Sequence, residues 1–503
     1  MHSVPAGLGR LSFVVYCMAA VLTVRFGVEC VFLLPSPVAD PAYFLTASEN
    51  YCRSGFLGTT IYPIDPTGQG RMIWHGFVSP MFFAKLNFGC STRGFYLTLW
   101  LIKAATVIAI VSLSKRRRWQ PLAALGVAVF AMAVQTSIGF RPETLAILLV
   151  ILIELAGESE SFITLGALAG TLLCTQPTVA GIYGASALIM RPELISRSMP
   201  VGVGVLCMVV ALISLYPFPV LDLIGGISLQ AHRLLGRNDG SVGDYYLWLP
   251  SLPVWSVLLL VAGALTARTK PLILMLLPVL WFFGPRVPPV YYNLLPTCLF
   301  LLIVQISWAR PKIAAGLAGA ALLIGVLGFG FLTFRDLMTI RQYGDTFGAT
   351  RLRVAQLAAA ETRFASLTPF LALTNPELRS TDPTAKSRSP ISAAGLAVDI
   401  IAVNGSPNSP CPAIDSNPKA VSLTFGGRTF FHSNSGWMIY VCPTPHQKFS
   451  ADVTIAPAAF TPAAAEVNSS AHHPIVANLF HTPGLPAVVH THPSGAPSVG
   501  SEL

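Results

Sequence analysis

Long apolar runs separated by short polar segments make up the first two thirds of the chain. The first run extends from Leu11 to Leu34. A transmembrane helix needs about 20 apolar residues, and Gln176-Pro177 either separates two such runs or kinks one. The pattern predicts an all-α polytopic membrane protein with about eleven transmembrane helices. After the first run, the candidate spans lie near 94–113, 120–140, 143–156, 162–175, 178–190, 199–217, 253–267, 271–284, 290–308 and 313–334.

Two long loops interrupt the series of spans, at 35–93 and 218–253. In the first loop, residues 72–88 are apolar but carry several polar side chains. This composition suits an interfacial helix lying on the membrane surface better than a span. The second loop contains an amphipathic stretch over 221–235, which predicts another helix outside the bilayer.

The remainder of the chain has a different composition. A helix is expected over 341–365, and the alternation over 420–455 is typical of strands, with Gly426-Gly427 as a turn. The end of the chain is rich in Ala, Pro and His and predicts disorder. We therefore expect a transmembrane domain, a small mixed C-terminal region outside the membrane and a disordered tail, at 1–335, 336–456 and 457–503.

Composition and charge agree with the membrane interpretation and orient the chain. Of the 503 residues, 53% are hydrophobic and 11% are charged, against about 25% charged in soluble domains. The net charge is +10, but no basic stripe with interleaved aromatic residues is present, so we expect no nucleic-acid partner. Compact basic clusters such as Lys115 to Arg118 fall in alternate short loops. The positive-inside rule then predicts a cytoplasmic N-terminus and a periplasmic or extracellular C-terminal region, in an inner (plasma) membrane.

Four of the nine cysteines fall in segments predicted to lie outside the membrane. An oxidising exterior would allow the pairs Cys52–Cys90 and Cys411–Cys442. Free thiols in loops are the alternative, and the sequence does not decide between them.

Ionisable groups at the membrane boundary are the natural candidates for chemistry, because placing them there is costly. Asp40 follows the first span closely and could deprotonate an acceptor hydroxyl or bind a metal, or it could simply cap a helix. Arg141-Pro142-Glu143 begins another predicted helix. Proline at the start of a helix followed by an acid in its first turn is common, so the segment need have no other role. An arginine beside a glutamate at this position also suits the binding of an anionic lipid phosphate.

A third candidate segment lies at the mouth of a later span. Arg286 is surrounded by prolines and is followed by Tyr291 and Tyr292. Arginine offers a bidentate donor to phosphate, and tyrosines bind sugars, although tyrosines also form interfacial belts. A divalent metal is also conceivable in the first loop, where the oxygen and imidazole ligands would be Asp40, Glu49, Asp65 and His75.

These segments, in this order, resemble the GT-C superfamily of polytopic glycosyltransferases. The chain looks like the branch that contains protein O-mannosyltransferases and bacterial aminoarabinose transferases, and the resemblance covers about 35–335. Asp40 matches the early acid of that family, although Pro41 stands where a second acid is usual. The other matching segments are Ser79 to Arg93, Arg141 to Glu143, and Arg286 with Tyr291, Tyr292 and Pro296.

The resemblance implies an inverting transfer of a hexose or pentose from a polyprenyl-phosphate donor to an exterior glycan, lipid or protein acceptor. Asp40 and Glu143 would be the catalytic acids, and Asp40 would deprotonate the acceptor hydroxyl. Arg141, Arg286, Tyr291 and Tyr292 would bind the donor phosphate and sugar. Membrane lipid is a further expected partner, and a divalent metal is the only cofactor considered.

Two other functions fit a polytopic chain. A transporter or lipid flippase would show paired charges deep within spans and an internal repeat. Arg25 and Glu29 are spaced to pair on one helix face, but we find no repeat. A non-enzymatic scaffold acting through its C-terminal region is the third alternative.

Overall fold

The computed structural model describes most of the N-terminal two thirds of the chain and short segments beyond. The described residues are 6–34, 40–58, 71–72, 76–236, 254–266, 269–277, 288–306, 308, 313–343, 364–366, 400–404, 413–417, 421–425, 428–433 and 437–441. Asp65, His75, Arg286, Cys411, Cys442 and the predicted tail 457–503 lie outside them. Asp40, Tyr291 and Tyr292 have a described backbone, whereas their side chains lie outside the description.

The N-terminal part is helical. The helices are α1 (Ala6–Phe26, continued by a π-helical turn, Gly27–Val31), α2 (Asp40–Ser54), α3 (Val78–Leu86), α4 (Thr92–Arg116), α5 (Pro121–Ile138), α6 (Pro142–Glu158), α7 (Phe162–Thr175), α8 (Pro177–Met190), α9 (Glu193–Ser196), α10 (Ser198–Ser214), α11 (Val220–Gly236), α12 (Val254–Ala264), α13 (270–277), α14 (Pro288–Gln305) and α15 (Ile313–Tyr343).

Several of these helices are apolar enough to lie in a bilayer. Within the described part, α4, α5 and the stretch Ile313–Gly330 of α15 are long and apolar enough to cross it, and α7, α8 and α10 are shorter apolar helices. The prediction of a helical membrane protein is therefore confirmed at this level, whereas the count of eleven spans stays a prediction. Residues 162–190 form two helices, because Gln176 has a non-helical backbone (φ −148°, ψ 86°) before Pro177.

Contacts between helix ends show that the helices alternate in direction. At one end, Gln176 between α7 and α8 donates to Glu143 at the start of α6. At the other end, Arg117 after α4 and Arg191 after α8 both pair with Glu154 near the end of α6. We call these the Glu143 end and the Glu154 end of the helix bundle.

Two long loops pack together at the Glu143 end. Arg71 pairs with Asp222 of α11 at 2.5 Å, and the hydroxyl of Tyr216 donates to the carbonyl of Met72 at 2.6 Å. Cys52 and Cys90 form a disulfide with a Cα–Cα distance of 5.6 Å, which confirms the first predicted pair. The amphipathic helix predicted over 221–235 is also confirmed as α11.

The structure differs from the predicted pattern in three elements. The stretch 72–88 contains the nine-residue helix α3, which is mostly buried because it packs against α2, α4, α6 and α7, and its position at a membrane surface stays a prediction. The helix that contains the last predicted span, 313–334, is longer than the span and continues to Tyr343 as α15. The helix predicted over 341–365 is wrong at its far end, where residues 364–366 are a strand.

The described segments beyond α15 are strands. They are β1 (Phe364–Ser366), β2 (Ile400–Asn404), β3 (Ala413–Asn417), β4 (Val421–Phe425), β5 (Arg428–Ser433) and β6 (Trp437–Val441). One sheet has the order β1-β2-β6-β3, with β1 and β2 parallel and the other pairs antiparallel. β4 and β5 are antiparallel, and Phe425 pairs with Arg428; the predicted turn Gly426-Gly427 lies outside the described residues.

Candidate functional site

The local sequence explains how α6 begins. Gly139 has a left-handed backbone (φ 64°) that ends α5, as glycine does at many helix C-termini. Arg141 is extended at the N-cap, and Pro142 occupies the first helical turn, where a missing N–H costs little. Glu143 therefore projects from the first turn of α6, and its charge is favourable at the N-terminal end of the helix dipole.

Glu143 is the centre of a buried polar cluster. The Arg141 guanidinium donates twice to it, from Nε to Oε2 at 3.1 Å and from Nη2 to Oε1 at 3.0 Å. The Nε2 of Gln176 donates to Oε1 at 3.0 Å. The carboxylate is 1% exposed, so these charge-assisted hydrogen bonds act at low dielectric. The guanidinium also lies 6.0 Å from the centroid of the Phe44 ring on α2.

Four segments of the described chain converge on this cluster. Pro41, in the first turn of α2, lies against Gly139. Gly76, just before α3, has φ 87° and packs so closely on Pro142 that an added Cβ would come 2.7 Å from its Cγ. The starts of α2, α3 and α6 and the break between α7 and α8 thus meet at one place. Asp40 opens α2 next to Pro41, which brings its backbone into the neighbourhood of Glu143.

Two buried polar atoms at this place have no hydrogen-bond partner within the described structure. They are Oε1 of Gln176 and Oγ of Ser79, on α3. Because Nε2 of Gln176 donates to Glu143, the amide oxygen is left as an acceptor that the carboxylate cannot satisfy. Buried acceptors usually have a donor, so an unpaired amide oxygen of this kind suits a water or a ligand hydroxyl.

The other predicted site residues are only partly placed. Glu49 is buried on α2 and pairs with Arg53 at 3.0 Å. The described side chains include no cluster of three or more potential metal ligands, and the predicted metal site stays untested because Asp65 and His75 lie outside them. α14, which carries Tyr291 and Tyr292, packs against α6, and its Cys298 is close enough to Glu143 for an electrostatic interaction.

A second buried cluster joins α1, α4 and α15. Glu29, on the π-helical turn, accepts from Arg25 at 2.7 Å and from Lys103 at 2.5 Å, and Arg25 also pairs with Asp336 at 2.9 Å. We call these four residues the ionic quartet. The two positive charges balance the two carboxylates, and all four side chains are buried. Oε2 of Glu29 has no hydrogen-bond partner among the described residues. The predicted Arg25–Glu29 pair is confirmed.

The ionic quartet lies near the level of the Glu143 cluster. Gln135 of α5 donates both to Thr106 of α4 and to the carbonyl of Thr144. Lys103 lies three residues before Thr106, and Arg141 lies three residues before Thr144, a step of about 4.5 Å along a helix. Both steps lead towards the Glu143 end. The two clusters therefore stand at similar depth in the bundle.

A third cluster surrounds Glu154 at the opposite end, and sequence reasoning missed it. Arg117, Arg191, Tyr183 of α8 and Gln305 of α14 all donate to this carboxylate. Burial alone would lower the pKa of Arg191, but the adjacent Glu154 raises it above its usual value. A lone acid in an apolar run was the available signal, since such an acid needs a partner in the membrane.

Comparison of the chain with protein-family models, curated proteins and solved structures finds no match. The functional argument therefore depends on the residues themselves.

Proposed function

We propose that this protein is a membrane glycosyltransferase of the GT-C type. It transfers a sugar from a polyprenyl-phosphate donor to an acceptor on the exterior side of the membrane. The observation that carries the proposal is the convergence at the Glu143 end, where the start of α2 with Asp40 meets the buried Arg141–Glu143–Gln176 cluster.

The distribution of charge supports the exterior side for this end. The basic residues that follow α4 and α8 gather at the Glu154 end, where Arg117 and Arg191 pair with α6. Short basic loops are retained in the cytoplasm. The Glu143 end then faces the periplasm or the extracellular space, where a flipped lipid-linked sugar presents its anomeric carbon.

The geometry refines the roles suggested by the resemblance. In the proposed reaction, Asp40 takes the proton from the acceptor hydroxyl as the hydroxyl oxygen attacks C1 of the sugar. The C1–O bond to phosphate breaks, and polyprenyl phosphate leaves as an anion. Arg141 is already held by Glu143, so a phosphate would have to compete for its guanidinium. We therefore assign Arg141 to positioning Glu143 and leave the phosphate contact to Arg286.

Gln176 and Glu143 then recognise the sugar. The amide oxygen of Gln176, which has no partner among the described residues, accepts from a sugar hydroxyl, and the Glu143 carboxylate fixes the orientation of the amide. A site built to bind a hydroxyl rejects analogues that lack it, because the buried acceptor is then left unpaired.

The test uses the full chain in proteoliposomes supplied with synthetic polyprenyl-phosphate-linked mannose, arabinose or aminoarabinose, and with a short oligosaccharide, a glycolipid or a hydroxyl-containing peptide as the acceptor. Release of polyprenyl phosphate is measured for the unaltered chain, for Asp40→Asn and for Glu143→Gln. Because a general base contributes about 10²–10⁴-fold, we expect Asp40→Asn to slow release by at least roughly a hundredfold. Asp222→Asn, which removes an acid outside the site, is the matched control and should retain the rate.

The ionic quartet favours one rival, because paired charges within spans are a feature of transporters. A flippase would move fluorescent polyprenyl phosphate between leaflets of the same liposomes without cleaving the sugar. Lipid movement with no release of polyprenyl phosphate would refute the transferase, and full release by Asp40→Asn would refute the catalytic role of Asp40.

A further inference from the structure

Four helices, α2, α3, α6 and α8, begin around the Glu143 cluster, and the shortest of them has nine residues. Gln176, at the start of α8, donates to Glu143 in the first turn of α6. Pro41, in the first turn of α2, lies against Gly139, which ends α5 just before α6. The N-terminal end of a helix carries roughly half a positive elementary charge. The cluster therefore lies among four positive helix ends.

The start of α3 brings Ser79 to the same place. A Cβ added to Gly76 would lie 2.7 Å from Cγ of Pro142 and 3.4 Å from the carbonyl oxygen of Thr175, the residue before Gln176. The backbone N–H of Ser79 donates to the carbonyl of Gly76 at 3.1 Å. Ser79 therefore lies one helical turn from the contact that joins α3 to α6 and to the α7–α8 break.

The unpaired atoms of Ser79 and Gln176 show which kind of hydrogen-bonding group is missing. Oε1 of Gln176 can only accept a hydrogen bond, whereas Oγ of Ser79 can accept or donate one. Neither atom has a partner within the described part of the chain, and the two residues are 5% exposed (Gln176) and 0% exposed (Ser79). Because an unpaired acceptor is costly when buried, the group that completes this place must be a donor.

The surrounding charge distinguishes between two kinds of donor, an ammonium and a hydroxyl. The positive charge of Arg141 balances the negative charge of Glu143. Asp40, at the start of α2, adds one negative charge. The four helix ends together contribute roughly two positive charges, so a net charge of about +1 remains. An ammonium is disfavoured there, whereas a hydroxyl donates a hydrogen bond without adding a charge.

We propose that Ser79 and Gln176 bind hydroxyl groups of an uncharged donor sugar, so that the enzyme transfers a neutral pentose or hexose and rejects an amino sugar. The inference rests on the proposed function and narrows its substrate class. Gln176 accepts from a sugar hydroxyl, and Ser79 contributes a second hydrogen bond to the sugar. An analogue that lacks the hydroxyl is rejected, because the buried polar atoms of the site are then left unpaired.

The first test compares donors that differ in one group. The full chain in proteoliposomes receives polyprenyl-phosphate-linked arabinose or mannose, or the same sugar with an amino group in place of one hydroxyl, together with the acceptors named above. We expect kcat/KM for polyprenyl phosphate release to be at least roughly a hundredfold higher for the neutral sugar. Equal values, or preference for the amino sugar, would overturn the inference and leave the transferase standing. Release from none of these donors would refute the proposed function itself.

The second test assigns the contact to Ser79 with a series of donors that each lack one hydroxyl. In the unaltered chain, at least one of them should react roughly a hundredfold more slowly than the parent sugar. Ser79→Ala should narrow that difference by roughly tenfold or more, because no serine hydroxyl is then left unpaired by the missing group. Ser186→Ala on α8 is the matched control and should leave the difference unchanged. Ser186 is equally buried, and its hydroxyl already donates to the carbonyl of Ile182 at 2.6 Å.

Stability separates this role from a structural one. Removal of an unpaired hydroxyl costs the fold nothing, so Ser79→Ala should resist SDS-induced unfolding at least as well as the unaltered chain. A large loss of stability would show that the hydroxyl has a partner within the fold, and would overturn the inference. The inference also fails if Ser79→Ala and Ser186→Ala discriminate between the donors alike, which would mean that Ser79 and Gln176 hold an ordered water only.

Discussion

Removing Lys103 should unfold the transmembrane part far more readily than removing any surface lysine. Its ammonium is 1% exposed and lies 2.5 Å from Oε1 of Glu29. In Lys103→Met, two buried carboxylates, Glu29 and Asp336, share the single cation Arg25. Breaking a buried pair costs about 3–5 kcal/mol, because a charge is left uncompensated at low dielectric. At about 1.4 kcal/mol per factor of ten, the folded-to-unfolded ratio falls by roughly 10²–10⁴.

The assay is SDS-induced unfolding of the full chain in bicelles. Lys115→Met is the matched control, because Lys115 is an exposed lysine on the same helix, and it should change stability by no more than about 0.5 kcal/mol. The double variant Glu29→Gln with Lys103→Met restores charge balance and should recover much of the loss. The reasoning is refuted if Lys103→Met behaves like Lys115→Met, or if the double variant is no more stable than the single one.

Two further predictions concern packing around the Glu143 cluster. The Cys52–Cys90 bridge predicts that iodoacetamide alkylates these two cysteines of the unfolded chain only after reduction, as peptide mass spectrometry would show; their labelling without reduction would contradict the disulfide. Gly76→Ala should lower stability in the same SDS assay by about 1–3 kcal/mol. The residue has a left-handed backbone, and the added Cβ would lie 2.7 Å from Cγ of Pro142. Gly89→Ala has a similar φ and open space, so it should cost less, and an equal loss would show that the contact is unimportant.

Hydropathy and helix punctuation were sufficient to predict much of the helical architecture. Pro177 and Pro142 fall where helices begin, since proline at a first helical turn gives up an N–H that has no partner there. The Arg141–Glu143 pair was also predictable, because it is local in sequence. The start of α2 at Asp40 agrees with the helix-cap alternative, and its catalytic role stays a prediction.

Long-range partners could not be predicted, because hydropathy does not say which helices touch. The sequence placed Asp336 in the region outside the membrane. In the structure it pairs with Arg25, more than three hundred residues earlier in the chain. Asp336 belongs to the part of α15 that extends past the predicted boundary at residue 335. Gln176 drew attention only as a helix break, although it is the residue that joins the α7–α8 break to Glu143. In both cases, a polar side chain was satisfied by a distant element.

The ionic quartet also bears on where the C-terminal region lies. Asp336 is fixed to Arg25, and Arg25 shares Glu29 with Lys103, which stands at the level of Arg141. From that level α15 runs seven residues further to Tyr343, about 10 Å at 1.5 Å per residue. The chain therefore leaves the bundle at the Glu143 end, on the same side as the candidate site. Under the proposed function, a C-terminal region tethered there would be within reach of the acceptor, whereas one leaving at the Glu154 end would be separated from it by the membrane.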